Sequence, residues 1–298
     1  MIGLPPTLHT GSRPFVIPLG FKFIQRPMPV KGYWRVLTYS GGLFIAVAAG
    51  SNIAAASVDC ITWTGRDLPM SANWQCGAAG NGVHIVLCST GVNGLFTRDG
   101  DVWQHFEMPS ASVWTAVAFG KVFCAISLDN TAAVSVNGVQ WVEHQILTDR
   151  TEPWSHVCWG NGVFIAIATS TGSVATSADG TTWRDCGSVL PGREWTSLCW
   201  GNGVFVLVGA DGACAHSVNG NVWIRSVMPR DCTWTAVAFG GGQFIAVAAG
   251  TLYGASSSDG NAWTHRATPV AGGWKRGTYG AGRIAFVSDN QLTALTVM

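Results

Sequence analysis

The chain is built from short apolar runs that stop at glycines and return at a fixed interval. In the stretch 234–267, WTAVAF (234–239) is followed by Gly240-Gly241-Gly242, then QFIAVAA (243–249), GASSS (254–258) and AWTHRA (262–267). Six- or seven-residue apolar runs between glycine turns suit buried strands and are too short for helices. Tryptophans mark the recurrence. One series runs Trp34, Trp74, Trp114, Trp154, Trp195, Trp234 and Trp274, with spacings of 40, 40, 40, 41, 39 and 40 residues. A second runs Trp63, Trp103, Trp141, Trp183, Trp223 and Trp263. Five residues after each first-series Trp stands Tyr39, Ala79, Phe119, Trp159, Trp200, Phe239 or Tyr279, aromatic in six of the seven repeats. Four antiparallel strands per repeat, arranged in a ring, make the blade of a β-propeller.

The chain ends set the blade count. The repeat that starts at Trp274 has room for three strands, 274–279, 284–288 and 292–297. Phe23 lies 11 residues before Trp34, just as Trp63 lies 11 before Trp74. Residues 21–25 are therefore expected to supply the missing outer strand, pairing the two ends of the chain and leaving no ladder open. The expected fold is all-β: a seven-bladed β-propeller of four-stranded antiparallel blades. It spans residues 21–298 as a single domain, with residues 1–20 as an extended, proline-containing arm outside the ring.

A turn motif joins the third and fourth strands: Ser177-Ala178-Asp179-Gly180-Thr181-Thr182-Trp183. Its cognates centre on Asp99-Gly100, Asn137-Gly138, Asn219-Gly220 and Asp259-Gly260, and the first repeat has Asp59-Cys60. Asp-Gly and Asn-Gly between strands are strong hairpin signals, because both central residues accept positive φ. Asp59, Asp99, Asn137, Asp179, Asn219 and Asp259 are expected to be structural, accepting turn N–H groups while the following Trp packs between blades. These motifs resemble the Asp-box (BNR) repeats of sialidase-like propellers. The box here is one residue shorter, S-x-[DN]-G-x-x-W instead of S-x-D-x-G-x-x-W. The resemblance implies that the box face lies opposite the ligand face. The full repeat also resembles propellers encoded in phage and prophage genomes, among which tail, fibre and other virion components are common.

Composition narrows the function classes. Charged residues make up 11% of the chain and the net charge is +1. That leaves no general basic field, so neither nucleic acid nor membrane insertion is expected. No apolar run approaches the length of a membrane span, and MIGLPPTLHTGSRPFVIP lacks the pattern of a signal peptide. The nine cysteines show no C-x-x-C spacing and are expected to be buried free thiols, with Cys158 and Cys199 open to one bridge as equivalent positions in neighbouring repeats. No histidine pair has metal-ligand spacing, and neither cofactor nor metal is expected.

Catalytic sets are missing. No three arginines recur at positions that would bring them together, and neither Tyr33 nor Tyr253 has a nearby Glu in sequence. Glycoside hydrolysis needs two carboxylates across a cleft. The four Glu residues, 107, 143, 152 and 194, are placed in the connections between blades, where Glu143, Asp149 and Glu152 share the longest one. Solvated loop carboxylates are the expected reading. His156 is expected to be a packed core histidine.

One constellation stands apart. The residue after each first-series Trp is polar in every repeat: Arg35, Gln75, Thr115, Ser155, Thr196, Thr235 and Lys275. First strands line the central channel, so these positions should lie near its mouth. Arg35, Lys275 and Arg276, from the neighbouring first and seventh blades, could hold a carboxylate or phosphate, or else pair with acids at the ring closure. The expected function is a non-enzymatic virion component, associated with tail or capsid, assembling with other virion proteins or attaching to a host surface glycan, and located on the virion or at the cell exterior. Oligomeric assembly is compatible with this. The alternatives are a lectin-like carbohydrate-binding module reading sugars through loops 251–253 and 127–131, and a polysaccharide-degrading glycoside hydrolase.

Overall fold

A computed structural model describes residues 22–147, 151–190, 192–289 and 291–297. The described residues form seven separate four-stranded antiparallel sheets and no helix. Blades 1 to 6 cover 34–72, 74–107, 114–145, 154–188, 195–227 and 234–267 in chain order. Blade 7 takes its three inner strands from 274–297 and its outer strand from Phe23–Gly32. Phe23 pairs with Val297 and Ile24 with Thr296, so the two ends of the chain share one ladder. The ring is the expected seven-bladed β-propeller. The closing strand is longer than residues 21–25, because pairing resumes at Gly32 opposite Gln291 after an irregularity beyond Pro27. The proposed arm, residues 1–20, lies outside the described residues.

The core is divided into seven clusters, each shared by two adjacent blades. Cys76, Ile85 and Phe106 of blade 2 pack with Trp114, Phe123 and Ala133 of blade 3, for example. The same holds around the ring, ending with Trp34, Phe44 and Cys60 of blade 1 against Ala285, Val287 and Ala294 of blade 7. Each blade is thus apolar on both faces, which explains why its second strand reads as a continuous apolar run and does not alternate. All seven first-series tryptophans are fully buried. Each such side chain removes on the order of 150–250 Å² from water, so the ring's stability rests on these seams.

The aromatic that follows five residues later lies flat on a glycine of the preceding blade. Trp200 covers Gly160, Phe239 covers Gly201, Tyr279 covers Gly240, and Tyr39 closes the circle over Gly280. The turn motifs form one hydrogen-bonding pattern. Asp179 Oδ1 accepts from the backbone N–H of Thr181 (2.8 Å) and Thr182 (3.1 Å) and from the Ser177 hydroxyl (3.1 Å). Ser177 Oγ in turn accepts from Gly180 N–H at 2.8 Å. The backbone donors pull the Asp179 carboxyl down to about 2. In the first blade Cys60 adopts the same left-handed conformation, at φ 50°, where four of its cognate glycines lie between 76° and 82°. All nine cysteines are free, including Cys158 and Cys199.

Three glutamates differ from expectation, two in placement and one in exposure. Glu107 and Glu143 lie within the outer strands Gln104–Glu107 and Val142–Gln145, not in connections. Glu152 is buried and not solvated, because the hydroxyls of Thr171 and Ser173 each donate to it at 2.8 Å. Asp149, expected beside it, lies outside the described residues.

Candidate functional site

Every blade begins with the same irregularity. Trp34 pairs with Ala48, but Val36 pairs with Val47, so Arg35 is an extra residue in the ladder. The register shifts in the same place after Trp74, Trp114, Trp154, Trp195, Trp234 and Trp274. A β-bulge releases one residue from the alternation and re-aims its side chain. On the innermost strand of a propeller blade, that direction is the axis. The bulged residues are Arg35, Gln75, Thr115, Ser155, Thr196, Thr235 and Lys275, and all seven line one open cavity of about 300 Å³. The polar position after each Trp is therefore the mouth of the central channel. The turn motifs belong to the opposite face, since each lies at the far end of a third strand that starts on the mouth side. Asn161 and Asn202, in the turns between first and second strands, bond Val218 and Ser258 of those motifs across the seams.

Bulge hydroxyls stitch the seams. Thr115 Oγ1 donates to the Trp154 carbonyl of the next blade at 2.7 Å, and Thr196 donates to that of Trp234. His156 does this for blades 4 and 5, its Nε2 lying 3.2 Å from the Trp195 carbonyl. A carbonyl only accepts, so Nε2 carries the proton. At the seam of blades 6 and 7 the pattern fails, and the Thr235 hydroxyl is buried without a partner.

The mouth holds three cations, Arg35, Lys275 and Arg276, and one carboxylate, Glu194. The three sequence-derived candidates do come together, but with unequal freedom. Lys275 Nζ is 3.0 Å from Asp289 Oδ2, an ion pair within blade 7. Arg35 donates to Gln75 Oε1 at 3.0 Å. Arg276 also borders a second, deeper space of about 140 Å³ lined by Leu37, Cys76, Val117 and Leu198. Its pKa lies below the ordinary arginine value, mainly through desolvation, and the Arg35 charge adds to this. His156, from blade 4, borders both spaces. Burial, and then the Arg276 charge, push its pKa down to about 4, so the imidazole is neutral at physiological pH. Trp195, Glu194, His156 and Thr169 complete the lining, and the last three do not follow from the repeat pattern. Glu194 directly precedes a first-series Trp, which is the one sequence cue to its position. Among the described residues, no group of three His, Cys, Asp or Glu side chains is placed to hold a metal ion.

The loops expected to read sugars differ from each other. In 127–131, Asn130 is buried and holds both the Leu147 carbonyl and Trp154 Nε1, the latter at 2.8 Å. That loop is structural. In 251–253, Leu252 and Tyr253 are exposed, and the Arg230 guanidinium lies 5.6 Å from the centre of the Tyr253 ring.

No protein-family profile matches the chain, and no curated protein does. Many solved structures share its fold. Virginiamycin B lyase from Staphylococcus aureus superposes with a TM-score of 0.82 at 11% identity, over 94% of this chain and 99% of the lyase. YCF48 bound to D1 peptide gives a TM-score of 0.73 at 12% identity, over 97% and 99%. The WD40 β-propeller domain of Doa1 gives 0.71 at 10%, over 94% and 97%. At these identities the likeness concerns the ring and not the chemistry.

Proposed function

We propose that the chain is a non-enzymatic binding propeller, a phage-type virion component of tail or capsid, that uses the channel-mouth face for protein assembly or host-surface attachment. The observation that carries this reading is the convergence of one bulged polar residue from every blade on a single open cavity with one carboxylate. Hydrolysis of a glycosidic bond calls for a second carboxylate across the cleft, and Glu152 is consumed by Thr171 and Ser173. Rings of this shape serve both catalysis and binding, as the lyase and YCF48 with its peptide illustrate. The binding class is favoured by the lining, in which hydroxyls and cations outnumber the one carboxylate, Glu194, and His156 Nε2 is engaged by the Trp195 carbonyl. The virion assignment draws its support from the resemblance of the repeats to Asp-box propellers of phage origin. Residues 1–20 are proposed as the docking arm.

The test is the composition of purified particles from a strain induced to produce them. The chain is expected in fixed stoichiometry with the tail or capsid proteins, and removal of residues 1–20 is expected to abolish that incorporation. Recovery only in the soluble fraction would exclude the virion role. A lectin-like reading has one specific support, the exposed Tyr253 with Arg230 against its ring, since such an aromatic face can stack on a sugar. Saturable glycan binding lost in Tyr253→Ala is its distinguishing result.

A further inference from the structure

Of the three cations at the channel mouth, one has no partner. Lys275 is neutralised by Asp289 and Arg35 is engaged by Gln75. Arg276 is half-buried, borders both cavities and makes no hydrogen bond or ion pair with any described residue. A guanidinium that lines a cavity without a protein partner keeps its five N–H donors available to whatever enters that space. The single carboxylate of the lining, Glu194, directly precedes blade 5 and makes no ion pair with Arg276. The seam beside Arg276 is also the one whose bulge hydroxyl, on Thr235, has no acceptor.

We propose that Arg276 is the seat for one compact oxyanion, a carboxylate or phosphate group, presented down the axis of the ring. This rests on the reading of the mouth as the binding face and adds the chemistry that the face selects. The planar fork of a guanidinium matches the paired oxygens of either group. Arg35, the next cation on the lining, supplies a second positive charge. His156 faces the same space as a neutral ring whose proton is committed to the Trp195 carbonyl. A volume of about 300 Å³ lies at the small end of ligand cavities, so it suits a single terminal group better than an extended chain of sugars.

The experiment is calorimetric titration of the intact chain with inorganic phosphate and, separately, with acetate, at neutral pH and constant ionic strength. Saturable one-to-one binding of at least one probe is expected, and the tighter of the two identifies phosphate or carboxylate as the preferred group. R276Q should weaken that binding by about tenfold or more, and R276K by less, because it keeps the charge and loses the fork. R225Q, which removes an exposed outer-strand arginine, should change it by less than about twofold. No saturable heat with either probe overturns the proposal, as does an equal loss in R225Q and R276Q. Should R276Q fail to fold, the arginine Nε–Hε resonances of the unaltered chain provide the second measurement. One resonance must shift saturably with the probe, and none shifting overturns the seat. Silent probes together with incorporation into particles would remove the seat and leave the assembly function standing.

Discussion

His84 Nδ1 of blade 2 lies 2.8 Å from Thr38 Oγ1 of blade 1, in a seam where most others carry an aromatic ring on a glycine. The second strand of most blades carries Phe at this position, as in Phe44, Phe123, Phe164, Phe205 and Phe244. Three departures coincide here. His84 replaces Phe, Ser40 stands where Gly80 and its cognates stand, and Ala79 replaces the aromatic that would cover that glycine. The Ser40 hydroxyl accepts from Gly82 N–H at 3.2 Å, and the Ser40 carbonyl lies 3.3 Å from His84 Nε2. A polar network therefore stands where the other seams have the aromatic-on-glycine contact.

This network predicts a pH dependence. Burial lowers the His84 pKa from 6.5 to about 4, with the Ser40 carbonyl opposing the shift. The folded state then binds fewer protons than the unfolded state below pH 6.5. Its contribution to stability is complete above that pH and is lost as the pH falls towards 4, by roughly 3 kcal/mol at most. His156 acts in the same direction and window. The depressed carboxylates Asp59, Asp99 and Asp179 act at lower pH, since their stabilising charge is lost only as they protonate below their ordinary value. Urea unfolding at several pH values should show His84→Gln losing about half of the slope between pH 6.5 and 4. An unchanged slope would mean that His84 is not buried neutral.

Two glycines two residues apart should respond very differently to alanine. A Cβ on Gly160 would come within 2.3 Å of the Trp200 ring, whereas Gly162 has nothing within 4 Å and a φ of 79°. Gly160→Ala must push apart a packed inter-blade contact, at a cost of about 3 kcal/mol or more. Gly162→Ala meets only the left-handed backbone penalty of about 1–2 kcal/mol. Denaturant midpoints of the two variants provide the comparison, and equal losses would deny the close seam.

Ring closure can be separated from the arm. Phe23 is buried in the cluster of blades 6 and 7, against the space that a Cβ on Gly254 would enter. Removing residues 1–20 should leave the thermal midpoint unchanged, because the closing ladder begins at Phe23. Phe23→Ala should cost about 3–5 kcal/mol. Removal of residues 1–32 should abolish cooperative unfolding, since it opens the last blade and exposes its edge.

Much of this was legible in the sequence because repetition converts a weak local signal into a strong one. The two tryptophan series located every blade, and Phe23 located the closing strand through the 11-residue offset from Trp34. The polar residue after each Trp pointed to the channel. Its mechanism, a bulge, was not legible, since an inserted ladder residue changes pairing and not spacing. The division of labour among Arg35, Lys275 and Arg276 was also hidden. It depends on Asp289, in the loop after the second strand of blade 7, reaching Lys275 and not Arg276. The burial of Glu152, correctly placed in its connection, was hidden because its two hydroxyl donors lie across a turn, about 20 residues onward, with no motif linking them.

The seam of blades 7 and 1 contains a complementary exchange that carries the last prediction. Elsewhere the turn-motif glycine of one blade abuts a second-strand side chain of the blade before it. A Cβ on Gly138 would lie 3.0 Å from Ile85 Cγ2, one on Gly220 2.2 Å from Ile165 Cδ1, and one on Gly260 2.4 Å from Val206 Cγ2. At the last seam the second-strand residue is Ala285, and the glycine is replaced by Cys60; both are fully buried in the same cluster. The side chain has moved from one blade to the other, and Cys60 accepts a φ of 50° to supply it. Burial pushes its thiol up to about 11, so its role is packing and not reactivity. Cys60→Gly should relieve the backbone but leave a void. Ala285→Ile alone should overpack the seam by about 1–3 kcal/mol. Combined, the two changes rebuild the arrangement of the other seams, and the double variant should be more stable than the sum of the singles by about 1–2 kcal/mol. A double-mutant cycle by urea unfolding measures this coupling. Strict additivity would show that Cys60 and Ala285 do not share the space.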